Sequence, residues 1–495
     1  MKYSNFLKLF FLIPGIIGMT SCKKALDINK NPNAIPDSNS PVAQLLTSAQ
    51  VNLGFEGGSD LFRYTTEIMQ QMSGAASQPN QTWEYYRYKI LGSDLNNLWG
   101  SIHAATLNDL ELIIRQSTGS PYYTGLAKIL KAYEYALVVD VWGDVPYTEA
   151  QQLSEITQPH YDDDATIYPK LIALLGEAVT DLNAASSVLT PGNNSVIYPG
   201  NFSTVKTNWI KLANTLRLRL LLHYSKKDPA FCVSQMTALI NSPGVQFMSS
   251  NADNFQLNFF NVPAQRNAIS AFEVSRPNYL FADANMTGMM NAKNDPRRAY
   301  YFTDFPAGSG VYVGVSATNP PPAPNNNYSR IHSFLRGTLI TPGTGTNSGV
   351  YSGAAPQRML SYAEYCFIRA EAALMGAPGD PQSFFTNGIT ASMMEAGVGA
   401  TAIATYLSLY GTLAGTNAQM LQQIIEEKYI ALFGVAVEPW NDWRRTGYPN
   451  LAIPANAVTT AVPRSLFYPQ SEIDLNLNCP GQKTPDLQTR VFWDN

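Results

Sequence analysis

Charged residues are scarce in this chain of 495 residues, and their scarcity excludes one class of partner. Asp, Glu, Lys and Arg make up 14% of the sequence, against roughly 25% in a typical soluble domain, and the formal net charge is -4. A nucleic-acid-binding protein needs a basic footprint, which this composition does not provide. The polar character comes instead from Asn, Gln, Ser, Thr and Tyr, whose side chains suit neutral polar ligands.

Catalytic motifs are also missing. The sequence has no GxSxG, HExxH, Walker or GxGxxG motif, and four histidines stand at unrelated spacings: His103, His160, His223 and His332. We therefore expect a protein that is not an enzyme and that holds no cofactor or metal. We interpret the three aspartates at 162–164 as the start of a helix, where carboxylates favour the positive end of the dipole. A glycosidase built from two carboxylates far apart in the sequence stays open.

The first 21 residues have the pattern of a signal peptide. Two lysines precede an apolar run at residues 9–18, which is too short to span a bilayer as a helix. Met-Thr-Ser then leads into Cys22, which resembles the lipobox of bacterial lipoproteins. Residues 22–41 are rich in Pro and Asn and are expected to form an extended tether. The other cysteines suggest neither a disulfide framework nor a zinc site: Cys232, Cys366 and Cys479.

The body of the chain is expected to be mainly α, with long irregular loops and little β structure. Apolar residues recur at helical spacing in five segments: 125–141, 167–184, 209–224, 360–375 and 418–433. Residues 301–351 are rich in Gly, Pro and Asn and have almost no helical periodicity. A loop of this length is usually functional or disordered. We expect residues 42–495 to form one domain.

The stretch "IIEEKYIALFGVAVEPWNDWRRTGYP", residues 424–449, contains a lysine in an unusual position. Lys428 falls in the middle of an apolar helical stripe, and a buried lysine needs a carboxylate partner unless its ammonium reaches solvent. Glu364, Glu371 and Asp442 are the candidate partners. Pro439 is expected to end the helix.

Two tryptophans and two arginines lie within six residues of the same stretch. Trp440, Trp443, Arg444 and Arg445 are dense enough to predict guanidinium groups stacked on indole rings. We interpret the arrangement as a structural clamp at a helix end. The alternative is a ligand site on Trp440 and Trp443.

Aromatic residues also crowd the segment "NQTWEYYRYK", residues 80–89. Some of Trp83, Tyr85 and Tyr86 should face solvent if this segment is a loop or a short strand, and flat aromatic faces suit sugar rings. The alternative is that they pack beneath a neighbouring helix. Tyr312 and Tyr328, in the long loop, are the other candidate ligand-binding residues.

Together these segments resemble the SusD/RagB family, the nutrient-binding lipoproteins of Bacteroidota outer membranes, and in particular its second SusD-like branch. The helix "EEKYIALF" followed by "WNDWRRTGYP" is similar to the C-terminal hallmark of that family. Six other segments agree in their order along the chain: "NKNPNA", "DVWGDVPYTEA", "NWIKLANTLRLRLLLHY", "DPRRAYYF", "SYAEYCFIRAEAALMG" and "PRSLFYPQSEIDLNLN". The resemblance covers nearly the whole chain after the predicted signal peptide.

This resemblance implies a SusD-like fold with tetratricopeptide-type helix pairs, a lipid on Cys22 and an outward-facing position on the outer membrane. It also implies that the protein captures an oligosaccharide, or less often a peptide, and delivers it to a SusC-like TonB-dependent transporter. The matching hallmark residues are Lys428, Trp440, Asp442, Trp443, Arg444 and Arg445. A helical scaffold without a small ligand and a surface glycosidase remain the alternatives.

Overall fold

Helices dominate the computed structural model, which describes residues 41–74, 80–152, 155–320, 327–343 and 349–495. The predicted signal peptide and tether, including Cys22, lie outside the described residues, apart from Pro41. The α-helices are α1 (Val42–Gly58), α2 (Asp60–Ile68), α3 (Gln81–Tyr86), α4 (Asn96–Gly100), α5 (Leu107–Gln116), α6 (Pro121–Trp142), α7 (Asp164–Leu182), α8 (Phe202–His223), α9 (Pro229–Ile240), α10 (Ala268–Ser275), α11 (Ala284–Ala292), α12 (Arg298–Tyr301), α13 (Ser333–Arg336), α14 (Tyr362–Leu374), α15 (Pro381–Ala396), α16 (Ala400–Tyr410), α17 (Asn417–Ala431), α18 (Glu438–Thr446) and α19 (Gln470–Leu475).

The strands are short and pair only two at a time in the described part of the chain. They are β1 (Met72–Gly74), β2 (Phe255–Leu257), β3 (Leu280–Ala282), β4 (Leu339–Thr341), β5 (Val350–Tyr351) and β6 (Gln357–Leu360). The antiparallel pairs are β1 with β3, β2 with β6 and β4 with β5. The prediction of a mainly α fold with little β structure is confirmed.

The five helices predicted from apolar spacing are all present, with ends that shift by up to seven residues. The largest shift is in α8, which begins at Phe202 rather than at residue 209, because the side chain of Asn201 accepts a hydrogen bond from the backbone N–H of Ser203 and caps it. Pro439 does not end the hallmark helix as expected. α17 already ends at Ala431, and Pro439 lies in the first turn of α18, where its missing N–H leaves no helical hydrogen bond unmade.

Neighbouring helices in the chain pack side by side as tetratricopeptide-type pairs. Contacts run from α5 to α6, from α6 to α7, from α7 to α8 and, in the C-terminal half, from α14 to α15 and α17. Small buried side chains on α14, Ala370 and Ala372, allow the neighbouring helices to approach closely. This packing buries a continuous apolar core that runs through Val42–Asn495, which forms one compact unit.

The three aspartates at the start of α7 have structural roles, as the sequence indicated. Asp163 accepts a hydrogen bond from the Thr166 N–H and caps the helix, while Asp164 accepts one from the Phe492 N–H. Asp162 accepts hydrogen bonds from the backbone N–H groups of Tyr147 and Thr148.

Across the described ranges, no helix combines the length and apolar composition needed to cross a bilayer.

Candidate functional site

Buried charges collect where α8, α14, α17 and α18 meet, and we call this cluster the hub. Its members are Arg219, Glu364, Glu371, Lys428, Glu438, Asp442 and Arg445. Lys428 is fully buried, and its Nζ donates to Asp442 Oδ1 at 2.9 Å and to Glu438 Oε1 at 3.1 Å. Of the three predicted partners, Asp442 is therefore a direct one. Glu438 was missed, although its position at the start of the next helix, ten residues after Lys428, could have drawn attention to it.

The two other predicted partners of Lys428 belong to the same hub but bind arginines. Arg219 forms a two-pronged ion pair with Glu364, at 2.7 and 2.6 Å. Arg445 pairs with Glu371 at 2.6 and 3.0 Å and also donates to Asp442 at 2.6 Å. Each cation of the hub thus has at least one carboxylate beside it, which is what a charge that has lost its water requires.

Burial and opposite charge act against each other on the pKa values of the hub. Burial would lower the pKa of Lys428, but the Asp442 and Glu438 carboxylates raise it above its ordinary value. Burial opposes ionisation of Glu438 as well, yet the charges of Lys428, His223 and Arg219 hold the pKa of Glu438 well below its usual range. Lys428 and Glu438 are therefore both ionised near neutral pH, and the hydrogen bonds and ion pairs of the hub link four helices.

The predicted stacking of guanidinium groups on indoles is confirmed beside the hub. The guanidinium group of Arg444 lies over Trp440, 4.1 Å from the ring centroid, and also lies 4.7 Å from the centroid of Trp493. The guanidinium group of Arg464, rather than that of either neighbouring arginine, lies over Trp443, 5.0 Å from the ring centroid. Because Trp440 is fully buried, it offers no surface to a ligand, and the alternative of a ligand site on this ring is wrong.

No substrate can reach the polar groups of the hub. The cavity beside Asp140, His223 and Glu438 has a volume of only about 10 Å³, which is room for a single water molecule. In the described part of the chain, no group of three or more His, Cys, Asp or Glu side chains is arranged to hold a metal ion. The hub is thus a structural element that fixes the helices relative to one another.

The aromatic segment at residues 80–89 is a short buried helix. Asn80 caps α3 by accepting a hydrogen bond from the Trp83 N–H at 2.9 Å, and the helix then buries three rings, among them Tyr85 edge-on to Tyr64 of α2. Trp83 is 8% exposed, Tyr85 1% and Tyr86 0%. The expectation that some of these rings face solvent is wrong, and the alternative that they pack against a neighbouring helix is confirmed for Tyr85, which meets Tyr64 of α2. Trp83 and Tyr86 pack instead on residues that are distant in the sequence.

Those distant residues include the second predicted aromatic region. Tyr86 Oη donates to Asp283 Oδ2 at 2.5 Å, and Trp83 and Tyr86 pack against Ala317. Tyr328 meets Phe281 edge-on, with ring centroids 6.1 Å apart. We call this region the aromatic platform; its members are Trp83, Tyr86, Phe281, Asp283, Val315, Ala317 and Tyr328, together with Tyr312, which lies on the same loop and packs against the main core. The structure thus brings together two regions that the sequence separates by more than 200 residues.

Backbone hydrogen bonds and two glycines hold the platform together. Val315 N donates to Ala282 O, and Ala282 N donates to Ser329 O, each at 2.8 Å, so the long loop is laid beside β3. A Cβ on Gly74 would lie 2.3 Å from the Trp83 nitrogen, and one on Gly314 would lie 2.3 Å from the Ala284 nitrogen. Only glycine permits these approaches, and they bring α3, β1 and the loop into contact.

The exposed aromatic surface of the platform is supplied by the loop tyrosines rather than by α3. Tyr312 and Tyr328 are both half-buried. The guanidinium group of Arg298 lies over the ring of Tyr312, 5.3 Å from its centroid. Burial raises the pKa of Asp283 to about 7, although the Tyr86 hydroxyl favours the ionised form. The platform thus combines aromatic rings with two guanidinium groups, that of Arg298 over Tyr312 and that of Arg330 over Phe281, a composition that suits a polar ligand.

Comparison with known protein families shows which family the chain belongs to. A SusD-like family model, described as starch-binding associating with outer membrane, matches residues 32–469. The chain belongs to the SusD-like family. In this SusD-like protein, the C-terminal stretch that carries the sequence resemblance contributes Lys428, Glu438, Asp442 and Arg445 to the hub. No curated protein matches the chain by sequence.

Solved structures agree with the SusD-like assignment over nearly the whole chain. A chitin-binding protein is 25% identical, with a TM-score of 0.75 over 92% of this chain and 100% of its own. A SusD homologue from Bacteroides fragilis NCTC 9343 is 23% identical, with a TM-score of 0.74 over 92% and 99% of the two chains. A chitin-binding SusD homologue from Flavobacterium johnsoniae is 23% identical, with a TM-score of 0.73 over 92% and 98%.

Proposed function

We propose that this SusD-like protein is an outward-facing lipoprotein, anchored to the outer membrane through Cys22, that binds oligosaccharides and passes them to a SusC-like TonB-dependent transporter. The match of residues 32–469 to a family described as starch-binding and associated with the outer membrane carries the proposal. The similarity to a chitin-binding protein along 92% of the chain supports a glycan as the ligand.

The aromatic platform is the proposed site for the glycan. Sugar rings stack on flat aromatic faces, and hydroxyl and amide groups around those faces fix their orientation. The half-buried rings of Tyr312 and Tyr328 would supply the faces. Tyr328 packs against Phe281 and Val315, and α3 contacts the flanking residues Asp283 and Ala317. In this hypothesis, Tyr312 and Tyr328 contact the glycan. Trp83, Tyr85 and Tyr86 support the site from within the fold and do not touch the ligand.

The proposed activity is binding without cleavage of a bond. A glycosidase needs two carboxyl groups roughly 5 to 9.5 Å apart on either side of an accessible sugar. The carboxylates that are brought together in the hub are 0–3% exposed, so they cannot serve. Asp283, the carboxyl group of the platform, is engaged by Tyr86 and by the Asn285 N–H.

Titration of the full chain with chito- and malto-oligosaccharides tests the glycan-binding part of the proposal. Tyr328→Ala and Tyr312→Ala should each weaken binding several-fold, because each removes a stacking face. Phe260→Ala is the matched control, since Phe260 is 58% exposed and lies outside the platform. Binding that survives both tyrosine substitutions would locate the site elsewhere. Absence of binding to any glycan, together with binding of a short-peptide mixture, would replace the oligosaccharide by a peptide.

Purification from native outer membranes tests the partner. A large β-barrel transporter should accompany the full chain in stoichiometric amount under mild detergent conditions. Recovery of the protein alone, under conditions that keep other barrel complexes together, would contradict the transporter part and leave a free-standing surface binder.

Incubation with the chito- and malto-oligosaccharides tests for cleavage. Release of reducing ends from them would indicate a glycosidase.

A further inference from the structure

A second concave site lies away from both the hub and the aromatic platform, between α7, α8 and the segment that follows α9. This cavity has a volume of about 350 Å³, near the lower end for small-molecule sites and enough for one or two sugar rings. Apolar side chains form part of its wall: Val179, Ile210, Leu239 and Val245. We call it the α8 pocket.

Two positive charges line the α8 pocket without a negative one. Lys206 and Arg217 stand eleven residues apart on α8, so they lie on one side of the helix, about three turns from each other. The residues that line the pocket include no Asp or Glu. Within the described ranges, neither cation has a carboxylate oxygen within 4.0 Å of its nitrogen atoms.

The neighbouring cations on the same helix show how unusual this is. Lys211 pairs with Asp253 at 3.0 Å, and Arg219 forms its two-pronged pair with Glu364. Arg217 instead donates one weak hydrogen bond, 3.4 Å long, to the side chain of Asn214, and its buried Nε has no hydrogen-bond partner. Burial lowers the pKa of Arg217, with no carboxylate to oppose the effect.

Half-buried arginine without a counter-ion is costly, and a bound anion would remove that cost. A guanidinium fork matches the two oxygens of a carboxylate or a sulfate, and a lysine ammonium adds a point charge that fits any oxyanion. The apolar wall of the pocket would meet the body of such a ligand. Lys206 also lies 5.7 Å from the ring centroid of Tyr122, which helps to hold its side chain at the pocket edge.

We propose that the α8 pocket binds the oxyanion group, carboxylate or sulfate, of an acidic saccharide, with Arg217 as the two-pronged contact and Lys206 as the second charge. The proposal is independent of the neutral-glycan role of the platform. An acidic sugar can bind here even if no neutral glycan binds at Tyr328.

Ligand-detected NMR on the full chain at constant ionic strength tests the proposal with three probes of similar shape: glucose, glucuronate and glucose 6-sulfate. Glucuronate, glucose 6-sulfate or both should bind, and glucose should not bind at this pocket. A preference between the two charged probes identifies the source of the oxyanion.

Two substitutions link that binding to the pocket. Arg217→Gln should weaken binding of the charged probes by about tenfold or more, because a charge-assisted two-pronged contact is lost, and Lys206→Gln should weaken it several-fold. Lys227→Gln, which removes an exposed charge just beyond α8, should leave it unchanged. Thermal unfolding of Arg217→Gln checks that the variant is folded, and Lys206→Gln keeps the test valid if it is not.

Equal binding of the charged probes by all three variants would overturn the proposal, because it would mean that the anions associate with the surface generally. Failure of both charged probes to bind the unsubstituted protein would overturn it as well. Titration of the Tyr328→Ala variant with glucuronate separates the two sites, since that variant should retain full binding at the α8 pocket.

Discussion

The hub and the aromatic platform are both crowded with rings and polar groups, yet they deal with burial in different ways. In the hub, the fully buried Lys428 lies between Asp442 and Glu438, and each arginine has its own carboxylate. In the platform, the one buried carboxyl group, Asp283, is met by a neutral tyrosine hydroxyl. In the hub, ionised pairs link one helix to another, whereas in the platform the hydrogen bond from Tyr86 to Asp283 links α3 to the start of α11 beside half-buried tyrosines. The comparison assigns a structural role to the hub, while ligand binding at the platform stays a proposal.

The largest expected effect comes from removing the central charge of the hub. Lys428→Met keeps the apolar stem but leaves Glu438 and Asp442 buried without their cation, which should lower the free energy of unfolding by about 3–5 kcal/mol. Urea denaturation of the full chain measures it. Lys227→Met, at an exposed site, is the control and should have little effect. A loss below about 1 kcal/mol would mean that the hub contributes no more than a surface ion pair.

A second prediction concerns how protein stability depends on pH through Asp283, the carboxyl group of the platform. Burial raises the pKa of Asp283 to about 7, so the stability that it contributes is fully present below its ordinary value and is lost as the pH rises through 7. Between pH 6 and 8 the protein should lose about 1 kcal/mol through this group. Asp283→Asn retains an acceptor for the Asn285 N–H and should not show that loss.

The matched control for this pH experiment is Asp380→Asn. Asp380 also caps a helix, α15, but it is exposed, and hydrogen bonds from Ser383 lower its pKa, so it does not titrate between pH 6 and 8. Unfolding curves at several pH values give the difference between each variant and the parent protein. Parallel profiles for the parent and Asp283→Asn would show that Asp283 is already ionised at pH 6, and the distinction between hub and platform would fail on that point.

The hub could be predicted from the sequence because its strongest signals lie close together. Lys428, Asp442 and Arg445 fall within 18 residues, and a lysine inside an apolar stripe demands a partner whatever the fold. The pairing of Glu364 with Arg219 and of Glu371 with Arg445 could not be predicted, since it depends on how α14 packs against α8 and α18. The helices themselves were predictable wherever apolar spacing continued for several turns.

The platform could not be predicted, because its one helix is short and the residues that it contacts lie far away in the sequence. α3 has six residues, too few to show a helical period, so its aromatic pattern is equally compatible with a loop or a strand. The burial of Trp83 and Tyr86 is decided by Ala317 and Asp283, about 200 residues further along the chain. Glycines that permit close backbone contact, such as Gly74, carry no signal of the partner they approach.

The smallest expected effect on stability provides the sharpest test of the platform as a binding site. Asn80→Ala removes the cap of α3, which should cost about 1 kcal/mol and loosen the helix that supports the tyrosines. Asp163→Ala removes the equivalent cap of α7, whose residues are not part of the platform, and should cost a similar amount. If α3 positions the binding surface, Asn80→Ala should weaken oligosaccharide binding while Asp163→Ala leaves it unchanged. Equal binding by the two variants, at equal loss of stability, would mean that glycans bind this protein somewhere other than the platform.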